Sequence, residues 1–121
     1  MNNFTDLKVY ERAYESSLEI HKMSLRFPQM EQYELGSQIR RASKSVAMNI
    51  AEGYGKRDSL AEFQRYLTIA LGSNDEVRVG LRYCKDLGYI SEEEYVRHDA
   101  EHIEIGKMIR KTRQSWQNFK P

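Results

Sequence analysis

Hydrophobic residues recur at spacings of three and four along four long segments of the chain, which is the pattern of amphipathic helices. The first segment predicts a helix over residues 6–26 that ends before Pro28, with a core-facing stripe of Leu7, Tyr10, Tyr14, Leu18, His21 and Leu25. The second predicts a helix over residues 34–53 that stops at a pair of glycines, with a stripe of Leu35, Ile39, Ala42, Val46 and Ile50.

Capping signatures open the two remaining segments. Ser59 with Glu62, and Ser91 with Glu94, match the box in which a serine and a glutamate bond to each other's backbone N–H groups. They predict helices over residues 60–87 and 92–118. The stripe of the third helix is Phe63, Tyr66, Ala70, Val77, Leu81 and Cys84, and the weaker stripe of the fourth is Tyr95, His102, Ile105, Ile109 and Trp116.

These segments together predict the fold class. No segment alternates between apolar and polar residues as a strand does, and the connectors are short enough to make neighbouring helices antiparallel. We therefore expect an all-α protein, an antiparallel up-down-up-down four-helix bundle, in a single domain over residues 1–121. A chain of this length buries enough surface to need no disulfide or metal.

The cysteine content and the N-terminus indicate a compartment. Cys84 is the only cysteine, so no intrachain disulfide forms, and the chain suits a reducing environment. The first ten residues lack a cationic start followed by an apolar run, and the longest uncharged stretch is too short to span a bilayer. We expect a cytoplasmic protein with no membrane contact.

The stretch "NIAEGYGKRD", residues 49–58, allows three interpretations. A phosphate-binding loop is excluded, because Arg57 follows Gly55-Lys56 and Ile50 stands where the loop needs glycine. Catalysis by Glu52 is disfavoured, because no nucleophile, base or second carboxylate is paired with it. We favour a helix corner with a polar seam between helices two and three, and no enzyme. The seam residues are Ser45, Asn49, Glu52, Ser73 and Glu76.

We expect Asn49 to lie opposite about Gln64 in this seam, and Ser45 near Thr68. These positions follow from placing the corner between helices two and three at residues 56–58.

A second spacing raises the question of a metal site. Glu94, His98 and His102 recur every four residues on the fourth helix, where two histidines one turn apart could chelate a divalent ion. The spacing fits neither a zinc protease helix nor a di-iron bundle. We interpret it as a solvated acidic helix face, and expect no metal, cofactor or small-molecule substrate.

The charge distribution suggests a polyanion partner. The net charge is only +1, so any such site must be a local patch. Residues 107–121 hold five cations and no acid, but they follow an acidic start, as the helix macrodipole favours. Residues 36–57 hold five cations against one acid, a balance of +4. Dipole matching does not explain the three in mid-helix, Arg40, Arg41 and Lys44. We predict that all five cations bind RNA or DNA phosphates: Arg40, Arg41, Lys44, Lys56 and Arg57.

Four stretches carry a family resemblance: "FTDLKVYERAYE", "FPQMEQYELGSQIRRASKSVAMNIAEGYGKRD", "EFQRYLTIALGSNDE" and "DLGYISEEEY". In order and spacing they resemble the 23S rRNA-intervening-sequence proteins, also called S23 ribosomal proteins or four helix bundle proteins. The resemblance implies a bacterial cytoplasmic bundle, encoded in some members inside an insertion in the large ribosomal RNA gene, without an established activity.

A more distant similarity is to the accessory variability protein of diversity-generating retroelements, a strongly basic pentameric bundle that binds nucleic acid. It suggests a homo-oligomer, with a pentameric ring favoured. The chain also has more apolar residues than inward stripes can hold, among them Met48, Ile69, Val79 and Ile103. Small residues at Ser43, Ala47 and Ala51 would let another helix approach closely. The alternative to nucleic-acid binding is a protein-interaction module that assembles through these faces.

Overall fold

The computed structural model describes residues 3–117 of the chain, without the side chain of residue 117. It contains four helices, α1 (Lys8–Ser24), α2 (Leu35–Gly55), α3 (Leu60–Asp86) and α4 (Glu92–Gln117). Short 3-10 turns at Phe4–Asp6 and Gln29–Glu31 precede α1 and α2. The predicted all-α four-helix fold is confirmed.

Contacts between the helices show that neighbours run antiparallel. Each helix packs on the next in the sequence, and a smaller contact between α1 and α4 closes the bundle. The end of α1 meets the start of α4 through an ion pair between Arg26 and Glu94. Near the opposite end, Trp116 of α4 contacts Tyr54 of α2 and Phe63 of α3, with ring centroids 6.3 and 5.1 Å apart.

The helix ends follow the predicted signals. Ser59 and Ser91 accept hydrogen bonds from the backbone N–H groups of Glu62 and Glu94, at 3.2 and 3.1 Å. After α3 the chain turns at Gly88, whose φ of 79° lies in the left-handed region that favours glycine.

The corner between α2 and α3 spans residues 56–59, close to the predicted 56–58. Helix α2 continues through Gly53 to Gly55, because Gly53 is packed against α3 rather than ending the helix: a Cβ there would lie 2.7 Å from the Cβ of Tyr66. The expected register is nevertheless wrong. Ser45 lies against Ser73, with the two hydroxyl oxygens 2.8 Å apart, and not beside Thr68.

The core consists of two clusters along the bundle axis. The predicted stripes of α2, α3 and α4 supply most of it. The cluster nearer the α2–α3 corner includes Val46, Ile50, Phe63, Leu67, Ala70, Ile105 and Ile109. The other cluster includes Ile20, Met23, Ile39, Val77, Leu81 and Cys84.

The predicted core stripe of α1 is wrong. Tyr14, Leu18 and Leu25 are 44, 43 and 61% exposed, although Leu7 is buried. The face of α1 that packs on the bundle is made mainly of small and medium side chains: Val9, Ala13, Ser16, Ser17, Ile20, Met23 and Ser24. Helix α1 has two stripes with helical spacing, and periodicity does not identify which one faces the core.

The interpretation of His98 and His102 as residues on a solvated face is also wrong. They are 7 and 1% exposed. The ring Nδ1 of His102 lies 2.9 Å from the backbone oxygen of His98, so this nitrogen carries the proton and donates it. Its Nε2 lies 3.3 Å from the Ser16 hydroxyl, which then donates to it. Both contacts fit a neutral imidazole.

Asn74 completes this polar layer from α3. Its amide nitrogen donates to the backbone oxygen of His102 at 2.7 Å, and it is 2% exposed. Its Oδ1 is the buried side-chain oxygen that lacks a hydrogen-bond partner within the described part of the chain. The layer joins α1, α3 and α4 where α1 contributes only small residues.

Acid should weaken the fold through these histidines. Burial lowers the pKa of His102 and of His98 below the ordinary value, so the folded protein favours the neutral rings. Stability is then fully present above the unfolded pKa of about 6.5 and is lost as pH falls toward the folded pKa. Urea unfolding should give a lower free energy at about pH 5.5 than at about pH 7.5. Replacing His102 by asparagine should reduce this difference, and an unchanged difference would contradict the assignment.

Candidate nucleic-acid interface

The five predicted phosphate-binding cations do not form one patch. Arg41, Lys44 and Lys56 are exposed along the outer side of α2 and its C-terminal end. Arg40 and Arg57 are half-buried and contact other parts of the chain.

Arg40 closes the connector between α1 and α2. One guanidinium nitrogen donates to the Ser24 hydroxyl at 2.8 Å, and the other donates to the backbone oxygen of Gln32 at 2.6 Å. The side-chain amide of Gln32 in turn donates to the backbone oxygens of Ser24 and Phe27, both at 2.9 Å. The N–H groups of Arg40 thus bond to acceptors at the end of α1 and in the connector, so this side chain stabilises the fold.

Arg57 is held at the α2–α3 corner. Its guanidinium carbon lies 4.0 Å from the centre of the Tyr54 ring, and a nitrogen donates to the Tyr54 backbone oxygen at 2.8 Å. Lys56 beside it is exposed, with its ammonium 5.9 Å from the centre of the Tyr66 ring. Of the two corner cations, Lys56 is the one that faces solvent freely.

Arg41 and Lys44, three residues apart, lie on the same outward side of α2. Both are exposed, and the described residues offer neither of them a carboxylate within 4.0 Å. Lys44 borders a largely apolar groove between α1 and α2. The pKa of His21 is lowered, first by burial and then by the nearby charges of Lys44 and Arg40.

A further set of free cations lies on α4. The outward side of its C-terminal half carries Lys107, Arg110 and Lys111, all exposed and none in an ion pair within the described ranges. We call these three residues the α4 basic ridge. From the sequence we explained these cations by the helix macrodipole. Three cations within two turns and without an ion pair also form a compact positive surface. Because the end of α4 meets the α2–α3 corner, the ridge and Lys56 lie toward the same end of the bundle.

The predicted polar seam forms around Ser45. The amide nitrogen of Asn49 donates to the backbone oxygen and the hydroxyl of Ser45, at 2.8 and 2.9 Å, and Ser45 contacts Ser73. Glu52 and Glu76 are exposed and lie outside these contacts. A hydrogen bond to Glu52 raises the pKa of the Tyr66 phenol. The Glu52 carboxylate is therefore paired with Tyr66 near the α2–α3 corner and does not take part in the seam around Ser45.

No metal site is found among the residues that the structure describes. Over residues 3–117, no group of three or more histidine, cysteine, aspartate or glutamate side chains is placed to hold an ion. None of the described helices is both long and apolar enough to cross a bilayer.

The family model of the 23S rRNA-intervening sequence protein matches residues 5–111. The chain belongs to this family. A solved structure of a protein of unknown function from the S23 ribosomal protein family of Bacteroides thetaiotaomicron VPI-5482 superposes with a TM-score of 0.80. The alignment has 24% sequence identity and covers 88% of this chain and 95% of that one, which supports the shared fold. No curated protein matches the chain significantly.

Adjacent arginines provide a test of the Arg40 geometry. Replacing Arg40 by methionine removes charged hydrogen bonds to the connector, and should lower the free energy of unfolding by about 1.5 to 3 kcal/mol. The same change at exposed Arg41 should alter it by at most about 0.5 kcal/mol. Urea denaturation of the two variants measures the difference, and equal stabilities would exclude the connector role.

Asn49 and Glu52 should also differ. Asn49→Leu removes a donor to Ser45 from a half-buried site and should cost about 1 kcal/mol, whereas Glu52→Gln on the exposed ridge should stay within about 0.5 kcal/mol. Melting of both variants by circular dichroism checks this. A larger loss for Glu52→Gln than for Asn49→Leu would place the essential polar contact at the corner and not in the seam.

Proposed function

We propose that the protein is a non-enzymatic bundle that binds the phosphate backbone of RNA or DNA. The observation that carries this proposal is that exposed cations without a carboxylate partner among the described residues lie on α2, at its C-terminal end and on the C-terminal half of α4. They include Arg41, Lys44, Lys56, Lys107, Arg110 and Lys111. Arg40 and Arg57, which the sequence included, contribute to the fold and add positive charge nearby.

The expected mode of binding follows from this chemistry. Cations on flexible stems contact phosphates without reading the bases, so binding should depend weakly on sequence and strongly on salt. With a net charge of +1, attraction acts only close to these cations, and one copy should bind weakly. The family description refers to the intervening sequence of 23S rRNA, which makes structured RNA the first ligand to test. Association with ribosomal RNA would place the protein in the cytoplasm.

The absence of enzymatic activity is part of the proposal. The arrangement nearest to a nucleophile and base is Ser16 with His102, both almost fully buried. Ser16 lies inside α1, where backbone N–H groups bond within the helix and are not available to stabilise an oxyanion.

We further propose that the working form is a homo-oligomer, and five subunits is the number suggested by the resemblance to the retroelement accessory protein. A ring would repeat the α4 basic ridge and raise the affinity for a long polyanion by avidity. The alternative function is a self-assembling scaffold without nucleic-acid binding. The uncovered apolar stripe of α1, with Tyr14 and Leu18, is the observation that favours it.

Fluorescence anisotropy with a labelled RNA hairpin and a single-stranded DNA tests the binding proposal. The variant Lys107→Gln, Arg110→Gln, Lys111→Gln should bind both ligands more weakly. For a duplex ligand, the slope of log affinity against log salt should fall by about 2 to 3.

A matched control removes the same charge from cations that already have carboxylate partners. Lys22, Arg65 and Lys85 lie 3.8, 2.8 and 3.7 Å from Glu19, Glu62 and Asp86, and their triple glutamine variant should bind almost as the native protein does. Equal losses in the two variants would show that only net charge matters. No binding of the native protein at low salt would refute the proposal and leave the scaffold.

A further inference from the structure

Four large apolar side chains are exposed at the end of the bundle where α1 and α3 finish. Leu25, Met30, Tyr33 and Leu87 are 61, 78, 86 and 53% exposed. The first three belong to the connector between α1 and α2, and Leu87 is the residue that follows α3. We call these four residues the apolar end. Large apolar side chains exposed together on a small protein indicate a binding surface.

Contacts between the two connectors bring these side chains onto one surface. The rings of Phe27 and Tyr89 have centroids 5.5 Å apart, and the Tyr89 hydroxyl donates to the Glu31 carboxylate at 2.7 Å. Each residue of the apolar end lies within two residues of one of these three in the sequence. The apolar end is therefore formed jointly by the α1–α2 and α3–α4 connectors.

The backbone beneath the apolar end is held in place. Arg40 and Gln32 bond to acceptors at the end of α1 and in the α1–α2 connector. Gly36 lies so close to this connector that a Cβ there would come within 2.8 Å of the Glu31 backbone oxygen. A partner that contacts Met30 and Tyr33 thus meets a backbone that is already ordered, which reduces the entropy lost on binding.

Acidic residues surround the apolar end. Residues 25–34 and 82–94 hold six acids against three cations. Two of these cations, Arg26 and Lys85, already form ion pairs with acids of the same set. This end of the bundle is therefore negative, whereas the α4 basic ridge lies toward the opposite end.

Helix stability explains only some of these acids. Residues 92–94 stand in the first turn of α4, where negative charge is favourable. Glu34 is the N-cap residue of α2, but its side chain makes no capping hydrogen bond. Asp86 is the last residue of α3, where the macrodipole disfavours an acid. These two acids adjoin Tyr33 and Leu87 in the sequence, so they place negative charge directly beside the apolar end.

We propose that the apolar end binds a basic amphipathic helix of a partner protein. The apolar side chains of that helix pack on Met30, Tyr33 and Leu87, and its lysines and arginines lie opposite Glu34 and Asp86. Nucleic acid does not suit this end, because its phosphates would face the acids. Residues 3–117 contain helices and turns but no strand, so they offer no sheet edge to an extended peptide. The inference goes beyond the proposed function and does not depend on it.

Two matched synthetic peptides test the chemistry of the partner. The first is a labelled helix of about five turns made of leucine, alanine and lysine, with the leucines on one face. Fluorescence anisotropy should show that it binds the nuclease-treated native protein at micromolar concentration. The second peptide has glutamate in place of lysine and should bind at least about tenfold more weakly, because it is repelled by the acidic end.

Substitutions at the apolar end test the apolar contact. Met30→Ser with Tyr33→Ser should weaken binding of the lysine peptide by about tenfold or more, because two large apolar contacts are lost. Ile69→Ser with Ile103→Ser is the matched control, since it removes exposed apolar side chains elsewhere on α3 and α4. The control should bind the peptide as the native protein does.

Neutralising the adjoining acids tests the charge. Glu34→Gln with Asp86→Asn should weaken binding of the lysine peptide and make its affinity less dependent on salt. Glu11→Gln with Glu104→Gln removes the same charge from exposed acids outside this end and should have little effect. Equal losses in the two variants would show that only net charge matters, and would overturn the proposal.

Photo-cross-linking locates the peptide. A benzophenone in place of one leucine of the lysine peptide should attach within residues 25–34 or 82–90, as read by mass spectrometry. Attachment at Tyr14, Leu18 or Met48 would place the peptide in the groove between α1 and α2 and refute the assignment.

Other results would also overturn the proposal. They are no binding of the lysine peptide, equal binding of the glutamate peptide, or unchanged affinity in the Met30 and Tyr33 variant. A lower mass of that variant in light scattering would show that the apolar end contacts a second copy instead. The triple glutamine variant of the α4 basic ridge should bind the peptide normally, so failure of nucleic-acid binding is recognised separately.

Discussion

The close packing of α2 against α3 fixes the register on which the other features depend. Gly53 lets the two helices meet without a side chain between them, and the Ser45–Ser73 contact sets their relative height. Because this register buries Ile50 and Phe63 together, it also determines which positions of α2 remain outside. This packing therefore determines which cations of α2 are exposed, such as Arg41 and Lys44, and which are half-buried, such as Arg40.

Two adjacent arginines show how packing determines whether a charged side chain bonds within the fold or remains exposed to solvent. Arg40 and Arg41 are neighbours in the sequence, yet a 100° rotation along the helix places one against the α1 end and the other in solvent. A half-buried guanidinium needs its donors satisfied, and the Ser24 and Gln32 oxygens do this for Arg40. The charge of Arg40 therefore contributes to the stability of the fold. Arg41 is exposed to solvent, where its guanidinium is accessible to an anion.

Helix α1 explains why so small a protein exposes large apolar residues. Small side chains such as Ala13 and Ser16 form its inner face, which lets the buried polar layer of Asn74 and His102 fit beneath it. The bulkier Tyr14 and Leu18 remain on the outside. The same helix therefore completes the bundle and leaves an apolar surface that the rest of the described chain does not cover.

The sequence by itself determined the four helices, their order and their capping, because hydrophobic periodicity and serine caps are local properties of the chain. It also placed Ser45, Asn49 and Ser73 in one polar seam, although the contact of Ser45 with Ser73 differs from the expected register. The phase of α1, the five-residue shift in the α2–α3 register and the burial of His98 and His102 were decided only by the tertiary structure. Two apolar stripes on one helix are equivalent until other helices pack against one of them, and a cation is free or bound only when its neighbours in space are known.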